Sequence, residues 1–342
     1  MPNEQEALLY EKLPDYRVRC NLCAHTCLIA NGHTGKCRVR LNRNGILYSL
    51  IYGRLIAAHT DPIEKKPLFH FYPGSLSFSI ASPGCNFTCK WCQNWEISQP
   101  GTQTDFSAIK VTAPEKIVAE ALRNGCKSIA YTYTEPTIFF EYTLEVSKLA
   151  HVAGLKNVYV TNGYMSRQMI EMYTPYLDAA NVDIKAFSDE AYRKYSGAHL
   201  QPVLDACILL KKAGVWLEIT TLLVPGVNDD KEQVKGLAEF IAVKLGTETP
   251  WHVSRYFPQY QFTQADATPL ESIEQALEIG HRAGLKFTYG GNIPGSANTC
   301  CPTCGASLIE RYGVSVTKNR VAKGNRCPDC GETIPGIMLE RH

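Results

Sequence analysis

Residues 76–94 read LSFSIASPGCNFTCKWCQN and join a strand-like run to three closely spaced cysteines. The run is short, apolar and ended by Pro and Gly, which is typical of a buried strand. Cys85, Cys89 and Cys92 follow with C-x3-C-x2-C spacing, just after Gly84, which allows a tight turn. Three thiols in eight residues converge only if the chain wraps around one site. The stretch therefore predicts a strand that leads directly into a metal-binding loop.

The thiol set of this loop is one ligand short of four. A cubane [4Fe–4S] cluster has four irons, so three cysteines leave one iron open to bind and act on a substrate. We expect Phe87 and Trp91 to shield such a cluster from water. The alternatives are a zinc knuckle that lacks one ligand and three structural cysteines. Zinc sites, however, favour pairs of C-x2-C.

Beyond this loop, strand-like runs alternate with helix-like stretches. The runs cover residues 76–82, 128–134, 157–163, 181–187, 216–224 and 251–257, with a plausible seventh at 286–292. Helical patterns follow Pro114 and Pro136 and recur at residues 229–246 and 270–284. This alternation predicts an α/β fold of parallel strands with right-handed crossovers, either doubly wound or closed into a barrel. In both cases the active site lies at the C-terminal ends of the strands.

Two flanking segments break the alternation, so the sequence predicts three parts. Residues 1–74 form a cysteine-rich module with a hairpin at Asn44-Gly45, residues 75–295 form the α/β part, and residues 296–342 form a second cysteine-rich module. The polar stretch at residues 98–107 is expected to be a loop.

The composition is that of an ordinary globular protein. The chain has 342 residues, 45% hydrophobic content and a net charge of +2, which favours neither nucleic acid nor an acidic partner. No apolar run approaches the length of a membrane span, and the polar N-terminus does not resemble a secretory signal. We therefore expect a cytoplasmic protein without membrane contact.

The fourteen cysteines are clustered, and in a reducing compartment clustered cysteines indicate metal. Near the C-terminus, CPTCG and CPDCG give the zinc-ribbon spacing and predict zinc bound by Cys301, Cys304, Cys327 and Cys330. Rubredoxin-type iron is the alternative metal there. Cys300 is an ambiguous neighbour, but the Pro and Gly flanks favour Cys301. The basic residues between the knuckles could meet an anionic partner, but a solvated face is the preferred interpretation: Arg311, Lys318, Arg320, Lys323 and Arg326.

A second group of four thiols lies near the N-terminus, with C-x2-C-x3-C-x9-C spacing: Cys20, Cys23, Cys27 and Cys37. Four thiols within eighteen residues predict one metal centre. Zinc and a second iron–sulfur cluster are both chemically allowed, and zinc is slightly preferred. The two isolated cysteines, Cys126 and Cys207, are expected to be small buried hydrophobic residues.

The motif around Cys85 resembles that of the radical S-adenosylmethionine (SAM) superfamily, in the branch of the pyruvate formate-lyase activating enzymes. Within that branch, the chain is similar to the radical SAM enzyme of the AmmeMemoRadiSam system from about residue 17 onward. The resemblance is carried by RCNLCAHTCLIANGHTGKCRVR, CNFTCKWCQNWEISQ, AYTYTEPTIFFEY, VTNGY, NVDIKAF, TTLLVPGVND, PWHVSRYFPQY and YGGNIPG. It implies a partial (β/α)6 barrel and an oxygen-sensitive [4Fe–4S] cluster whose open iron chelates SAM.

The resemblance also implies a set of SAM-contacting residues: Glu135, Thr161, Asn162, Asp183, Lys185 and His252. Glu135 stands where the family has the acidic residue of a Gly-Gly-Glu-like segment, but Tyr133 and Thr134 replace the glycines. Strand alternation puts Asp183 and Lys185 on one face, where a structural ion pair is the alternative. For His252 the alternative is a histidine satisfied within the core.

The function implied is reductive cleavage of SAM to a 5′-deoxyadenosyl radical, which abstracts hydrogen from a substrate. An electron donor such as a flavodoxin or ferredoxin is the implied partner, and the substrate is a small molecule, a protein or RNA. A narrower possibility is an activase that installs a glycyl radical on a partner protein. A non-catalytic iron–sulfur or zinc adaptor is the alternative from another class; it explains the cysteines but not Glu135, Asp183 and Lys185 at strand ends.

Overall fold

The computed structural model describes residues 5–101, 104–295 and 297–340. Residues 102 and 103 of the predicted loop, the boundary residue 296 and the last two residues lie outside the described residues. The chain opens with two small antiparallel sheets, ordered β1-β6-β5 and β2-β3-β4. Their strands are β1 (Gln5–Glu6), β2 (Tyr10–Lys12), β3 (Val18–Cys20), β4 (Leu28–Ile29), β5 (Arg40–Arg43) and β6 (Ile46–Ser49).

The hairpin predicted at Asn44-Gly45 is confirmed. These two residues join β5 to β6, and Arg43 lies opposite Ile46 in the antiparallel register. Both turn residues have positive φ, 52° for Asn44 and 81° for Gly45. Asn and Gly are the residue types that adopt this conformation with least strain, so the local sequence alone specifies the turn.

An eight-stranded sheet forms the centre of the molecule, with the order β14-β13-β12-β11-β10-β9-β8-β7. All neighbours from β8 to β14 are parallel, and β7 pairs antiparallel with β8. The strands are β7 (Ala57–Pro62), β8 (Leu76–Ala81), β9 (Ser128–Tyr131), β10 (Lys156–Thr161), β11 (Ala179–Asp183), β12 (Trp216–Leu223), β13 (Trp251–Arg255) and β14 (Thr288–Gly291).

The strand order decides between the two architectures that the sequence left open. Each parallel strand lies beside its predecessor, so right-handed crossovers put the connecting helices on one face, as in a barrel wall; a doubly wound sheet reverses its order. The expected α/β fold is confirmed. The plausible seventh parallel strand is present as β14, and β7 adds an edge strand that its polar sequence, AAHTDP, did not reveal.

Helices connect the strands and cover the outside of the wall. Pro114 is the first residue of its helix, as predicted, because a proline there removes an N–H that has no partner in the helix. Pro136 opens a 3₁₀ turn, Pro136–Phe139, before the next helix. The α-helices are α1 (Trp95–Ser98), α2 (Pro114–Arg123), α3 (Phe140–Val152), α4 (Arg167–Tyr173), α5 (Asp189–Ala191), α6 (Leu200–Lys212), α7 (Lys231–Phe240) and α8 (Leu270–Arg282).

The segment of residues 63–72, here called the plug, fills the concave side of the sheet. Ile63, Leu68 and Phe71 pack against small apolar side chains of β9, β10 and β11. The carboxylate of Glu218, on β12, accepts hydrogen bonds from the plug's backbone at Phe69 and His70, at 3.0 and 2.8 Å. The plug is therefore held to the sheet both by apolar packing and by one buried anion.

The last part of the chain, here called the ribbon (residues 297–340), forms an antiparallel sheet of β15 (Thr299–Cys300), β16 (Ser307–Tyr312) and β17 (Ser315–Asn319). Arg311 was expected on a solvated face, and that expectation is wrong, since only 1% of it is exposed. Its guanidinium donates to the carbonyl of Phe69 at 2.8 Å and lies 3.5 Å from Glu64. The ribbon is therefore bound to the plug by a buried hydrogen bond and a buried ion pair. The boundaries proposed after residues 74 and 295 stay predictions.

Candidate iron–sulfur site

The three central cysteines lie on the cysteine loop (residues 82–94), which leaves the C-terminal end of β8. Gly84 has φ of 102°, and a Cβ there would lie 2.9 Å from Val39 Cγ1 and 3.0 Å from Ile138 Cδ1. Only glycine suits this position, because both the backbone angle and the close neighbours exclude a side chain. Cys89 is buried, and the other two thiols are partly buried.

A π-helical turn, Tyr192–Ser196, supports the cysteine loop from the far side. Its last two carbonyls accept hydrogen bonds from the backbone N–H groups of Thr88 and Lys90, each at 3.0 Å. The Ser196 hydroxyl lies 3.4 Å from Cys89 Sγ. Single π-turns are frequent at functional sites. The turn therefore supports the loop's path and helps to position the thiols.

Aromatic side chains pack around the cysteine loop, as the sequence predicted. Phe87 and Trp91 are 1% and 3% exposed. Phe87 meets Tyr164 and Tyr192 edge to face, and Trp91 lies against Tyr195. Burial, together with the nearby Glu135 carboxylate and the neighbouring thiols, raises the pKa of Cys85 well above that of a free thiol. A metal at this site would have to displace the thiol protons.

Glu135 follows β9, faces the cysteine loop and is 2% exposed. Its Oε1 accepts from the Thr137 N–H at 3.0 Å and from the Thr161 hydroxyl at 2.7 Å, and its Oε2 accepts from the Asn162 N–H at 2.8 Å. The carboxylate thus ties the end of β9 to the end of β10. The Thr137 hydroxyl also donates to Oε1, at 2.5 Å, so four donors use about all the acceptor positions of the two oxygens. Its role as the partner of the SAM ammonium stays a prediction.

Tyr133 stands where the family pattern has a glycine, and its backbone adopts φ of 65°. A bulky residue in the left-handed region is strained, and such strain concentrates at functional sites. Tyr133 is held there by its hydroxyl, which donates to Asp61, and by the Lys66 ammonium 4.5 Å from the ring centre. The glycine-like backbone conformation is therefore kept although the glycine is missing.

Thr161 and Asn162, at the end of β10, connect Glu135 to the cysteine loop. The Asn162 side-chain amide donates to the Asn86 amide oxygen at 2.8 Å and lies 3.9 Å from Cys85 Sγ. The predicted residues of β9 and β10 thus reach the first thiol. Asn86 was missed by the sequence analysis, although its place inside the cysteine motif was a signal.

Asp183 and Lys185 form an ion pair at the C-terminal end of β11, on the concave side as alternation predicted. The charges of Asp183 and Cys89 raise the pKa of Lys185 despite the opposing effect of its burial. Among the described residues, the second oxygen of Asp183, Oδ1, is a buried acceptor without a hydrogen-bond partner. A buried orphan acceptor beside the thiols is free to bind a donor from a ligand.

His252 has a different environment from the other predicted residues. Its Nε2 lies 2.7 Å from Glu218, and its ring stacks on Tyr289 and meets Phe69 edge to face. It is 3% exposed and belongs to the polar contacts that anchor the plug. These contacts favour the core-histidine alternative, and the role of His252 in SAM binding stays a prediction.

The sulfurs of the ribbon form a compact set. The Sγ atoms of Cys301, Cys304, Cys327 and Cys330 lie within 4.8 Å of one another, with 3.6 Å from the first to the last. Tetrahedral Zn–S bonds of about 2.3 Å put the sulfurs roughly 3.8 Å apart, so the residues fit a zinc-type ion. Cys300 is exposed and is not part of this set. The N-terminal cysteines line one cavity together.

The comparisons with known proteins agree with this geometry. Residues 79–241 match the model of the radical SAM superfamily. An uncharacterized protein of Methanocaldococcus jannaschii is 44% identical over 98% of this chain and 100% of its own length. The chain belongs to the radical SAM superfamily. Members of this superfamily are enzymes that use a [4Fe–4S] cluster and SAM, and the cysteine loop fits that requirement in donor type and in number.

More distant relatives place this radical SAM protein beside the activating enzymes. A pyruvate formate-lyase-activating enzyme of Listeria monocytogenes is 25% identical over 60% of this chain and 86% of its own. Among solved structures, a radical SAM methyltransferase from Sphaerobacter thermophilus covers 66% of this chain and 68% of its own, with a TM-score of 0.51 at 15% identity. This last likeness concerns the fold alone. No helix in the described ranges has the length and apolar character that crossing a membrane requires.

Proposed function

We propose that this protein cleaves SAM reductively at a [4Fe–4S] cluster ligated by Cys85, Cys89 and Cys92. When bound, the reduced cluster supplies the electron that splits the sulfonium C–S bond to methionine and a 5′-deoxyadenosyl radical, which takes a hydrogen atom from the substrate. The observation that carries the proposal is the three-thiol set beside an Asp183 oxygen that has no hydrogen-bond partner in the part of the chain that the structure describes. The adaptor alternative does not account for that buried acceptor.

The residues at the strand ends would bind and orient SAM. Asp183 Oδ1 offers an acceptor to a hydroxyl or amino group, and Lys185 neutralises the carboxylate that provides it. Glu135 holds Thr161 and Asn162 in place, and its negative charge would attract the SAM ammonium. Phe87 and Trp91 exclude water from the thiols, which protects a reactive radical from side reactions.

The ribbon cysteines would hold a structural zinc ion. Structural zinc contributes on the order of 10 kcal/mol to the folding of small modules. Here that ion would stabilise the sheet that carries Arg311. It would thereby stabilise the contacts of Arg311 with the plug. A flavodoxin or ferredoxin would serve as the electron donor, as proposed from the resemblance.

The test is anaerobic reconstitution with iron and sulfide, followed by dithionite and SAM. We expect 5′-deoxyadenosine and methionine in equal amounts from the intact protein. Cys89→Ala should abolish both products, whereas the matched control Cys300→Ala, which removes an exposed thiol outside any ligand set, should leave them unchanged. Equal cleavage by Cys89→Ala and the intact protein would disprove the proposal.

A second candidate is the activation of a glycyl radical enzyme. It is favoured by the named relatives, which include a putative glycyl-radical enzyme activating enzyme of M. jannaschii at 24% identity over 60% of this chain. The two candidate functions differ in the source of the hydrogen atom that the 5′-deoxyadenosyl radical abstracts. A partner protein labelled with deuterium at glycine should transfer the label to 5′-deoxyadenosine only if this candidate is correct.

A further inference from the structure

The four N-terminal cysteines converge although they lie on different turns of the chain. Cys20 ends β3, Cys23 and Cys27 lie between β3 and β4, and Cys37 precedes β5. All four line one cavity, whose other walls include Leu22, Ile29 and Ile138. A complete set of four thiols around one cavity is typical of a metal site without an open position.

The spacing of the sulfurs distinguishes this site from the ribbon. In the described part of the chain, the ribbon cysteines are the one group of three or more metal-ligating atoms that lie within 4.8 Å of one another. A single zinc ion needs sulfurs roughly 3.8 Å apart, because all four bind the same atom. A cubane binds each thiolate to a different iron, so its sulfurs stand further apart, at roughly 6 Å. Within the described residues, no three sulfurs of the N-terminal group lie within 4.8 Å of one another, so this group is more widely spaced than the ribbon set.

Arg40 supplies a second, independent observation. It lines the same cavity, is 1% exposed, and pairs with Glu141 at 3.0 Å. Its Nε is buried and has no hydrogen-bond partner among the described residues. A buried cationic N–H left over at the wall of a thiol-lined cavity is suited to an anionic group with sulfur acceptors.

We propose that Cys20, Cys23, Cys27 and Cys37 ligate a second [4Fe–4S] cluster, with Arg40 Nε donating to one of its sulfurs. This assignment replaces the slight preference for zinc that the sequence suggested at this site. With four protein ligands the second cluster has no open iron, so it transfers electrons and does not bind SAM.

The second cluster would lie directly against the cysteine loop. The Cys37 carbonyl is 3.3 Å from the position of a Cβ on Gly84, the residue before Cys85. His25 Nε2 donates to the Asn86 carbonyl at 2.8 Å, and Asn86 itself lines the N-terminal cavity. Gly84 and Asn86, which flank the ligand Cys85, thus lie against the N-terminal group, so an electron delivered to one cluster would have a short path to the other.

Metal analysis of the full chain tests the proposal without relying on SAM cleavage. The variant Cys85→Ala/Cys89→Ala/Cys92→Ala is reconstituted anaerobically with iron and sulfide, and iron, acid-labile sulfide and zinc are counted. We expect about four irons, four sulfides and one zinc per chain. After reduction with dithionite, its electron paramagnetic resonance signal should not change when SAM is added. Two zinc ions and no labile sulfide would overturn the proposal.

Further variants locate the cluster and guard against a folding defect. Adding Cys23→Ala and Cys37→Ala to the triple variant should remove all labile sulfide while the ribbon zinc stays, which shows that the ribbon has folded. The intact protein should hold about eight irons and eight sulfides. Arg40→Lys should keep the iron but shift the reduction potential of the SAM-insensitive signal. Labile sulfide that survives loss of Cys23 and Cys37 would disprove ligation by this group.

Discussion

His252 Nε2 and Glu218 Oε2 lie 2.7 Å apart on neighbouring strands, and both side chains are almost completely buried. The same carboxylate accepts from the N–H groups of Phe69 and His70 and from the indole of Trp216. Burial opposes its ionisation, but the hydrogen bond and charge of His252 more than compensate, so the pKa of Glu218 is lowered. The Glu218 carboxylate therefore holds together the groups that line the concave side of the sheet at the plug.

Glu218→Gln should destabilise the protein by about 3–5 kcal/mol, because it removes the charge and points an amide N–H at donors that need an acceptor. Denaturant unfolding of the reconstituted protein measures this loss. The control is Glu310→Gln, which breaks a surface pair with Lys318 and should cost less than about 0.5 kcal/mol. Equal losses for the two variants would contradict the assigned role of Glu218.

His70 should make the protein acid-sensitive. Burial lowers its pKa from 6.5 to about 4, with Glu218, Arg311 and His252 facing it and Tyr289 hydrogen-bonded to it. Between these two values the unfolded chain binds a proton that the folded one does not, so stability falls as pH falls. The loss between pH 7.5 and 5 is about 2 kcal/mol.

The measurement for His70 is the free energy of unfolding at pH 7.5 and at pH 5, with the intact protein and His70→Gln compared at both. The variant will be less stable at pH 7.5 but should lose less on acidification. The matched control is His59→Gln, on an exposed part of β7. An identical pH dependence of the intact protein and His70→Gln would rule out His70 as the source.

Gly84→Ala should remove the iron from the cysteine loop. The left-handed backbone alone costs about 1–2 kcal/mol for a residue with a Cβ, and the new Cβ would also meet Val39 and Ile138. Gly125→Ala is the matched control, since Gly125 has φ of 66° but no atom within 4 Å of a Cβ. Iron content and unfolding midpoint should drop for Gly84→Ala, and Gly125→Ala should keep its iron. Full iron loading of both variants would contradict this account.

Asp183→Asn should weaken SAM binding roughly ten- to a hundredfold, about 1.5–3 kcal/mol, while the iron content stays unchanged. The reason is that the substitution removes the charge that Lys185 balances and changes the free acceptor beside the thiols. Asp178→Asn is the control, because it alters a similar pair with Lys156 just before the start of β11. Calorimetry on the reconstituted protein gives both affinities, and unchanged SAM affinity in Asp183→Asn would exclude a contact.

The parts of the site that the sequence predicted are those encoded locally. C-x3-C-x2-C spacing, the Asn-Gly turn and the pairing of Asp183 with Lys185 each depend on a few neighbouring residues. The contacts of Arg311 and Glu218 could not be predicted in this way, because their partners lie far away along the chain. Arg311 binds the Phe69 carbonyl across 242 positions. The local charge pattern around Arg311 indicates a basic surface, because no residue close to it in the sequence reveals the buried Glu64.

The contact between the ribbon and the plug also implies an order of folding. The plug is made well before its anchor, since Arg311 follows Phe69 by 242 positions. Until Arg311 has been made, Glu64 and the Phe69 carbonyl lack this partner. Contacts between residues so far apart in the sequence form late in folding. A nascent chain should therefore fix the plug in place only once the ribbon has been made and folded.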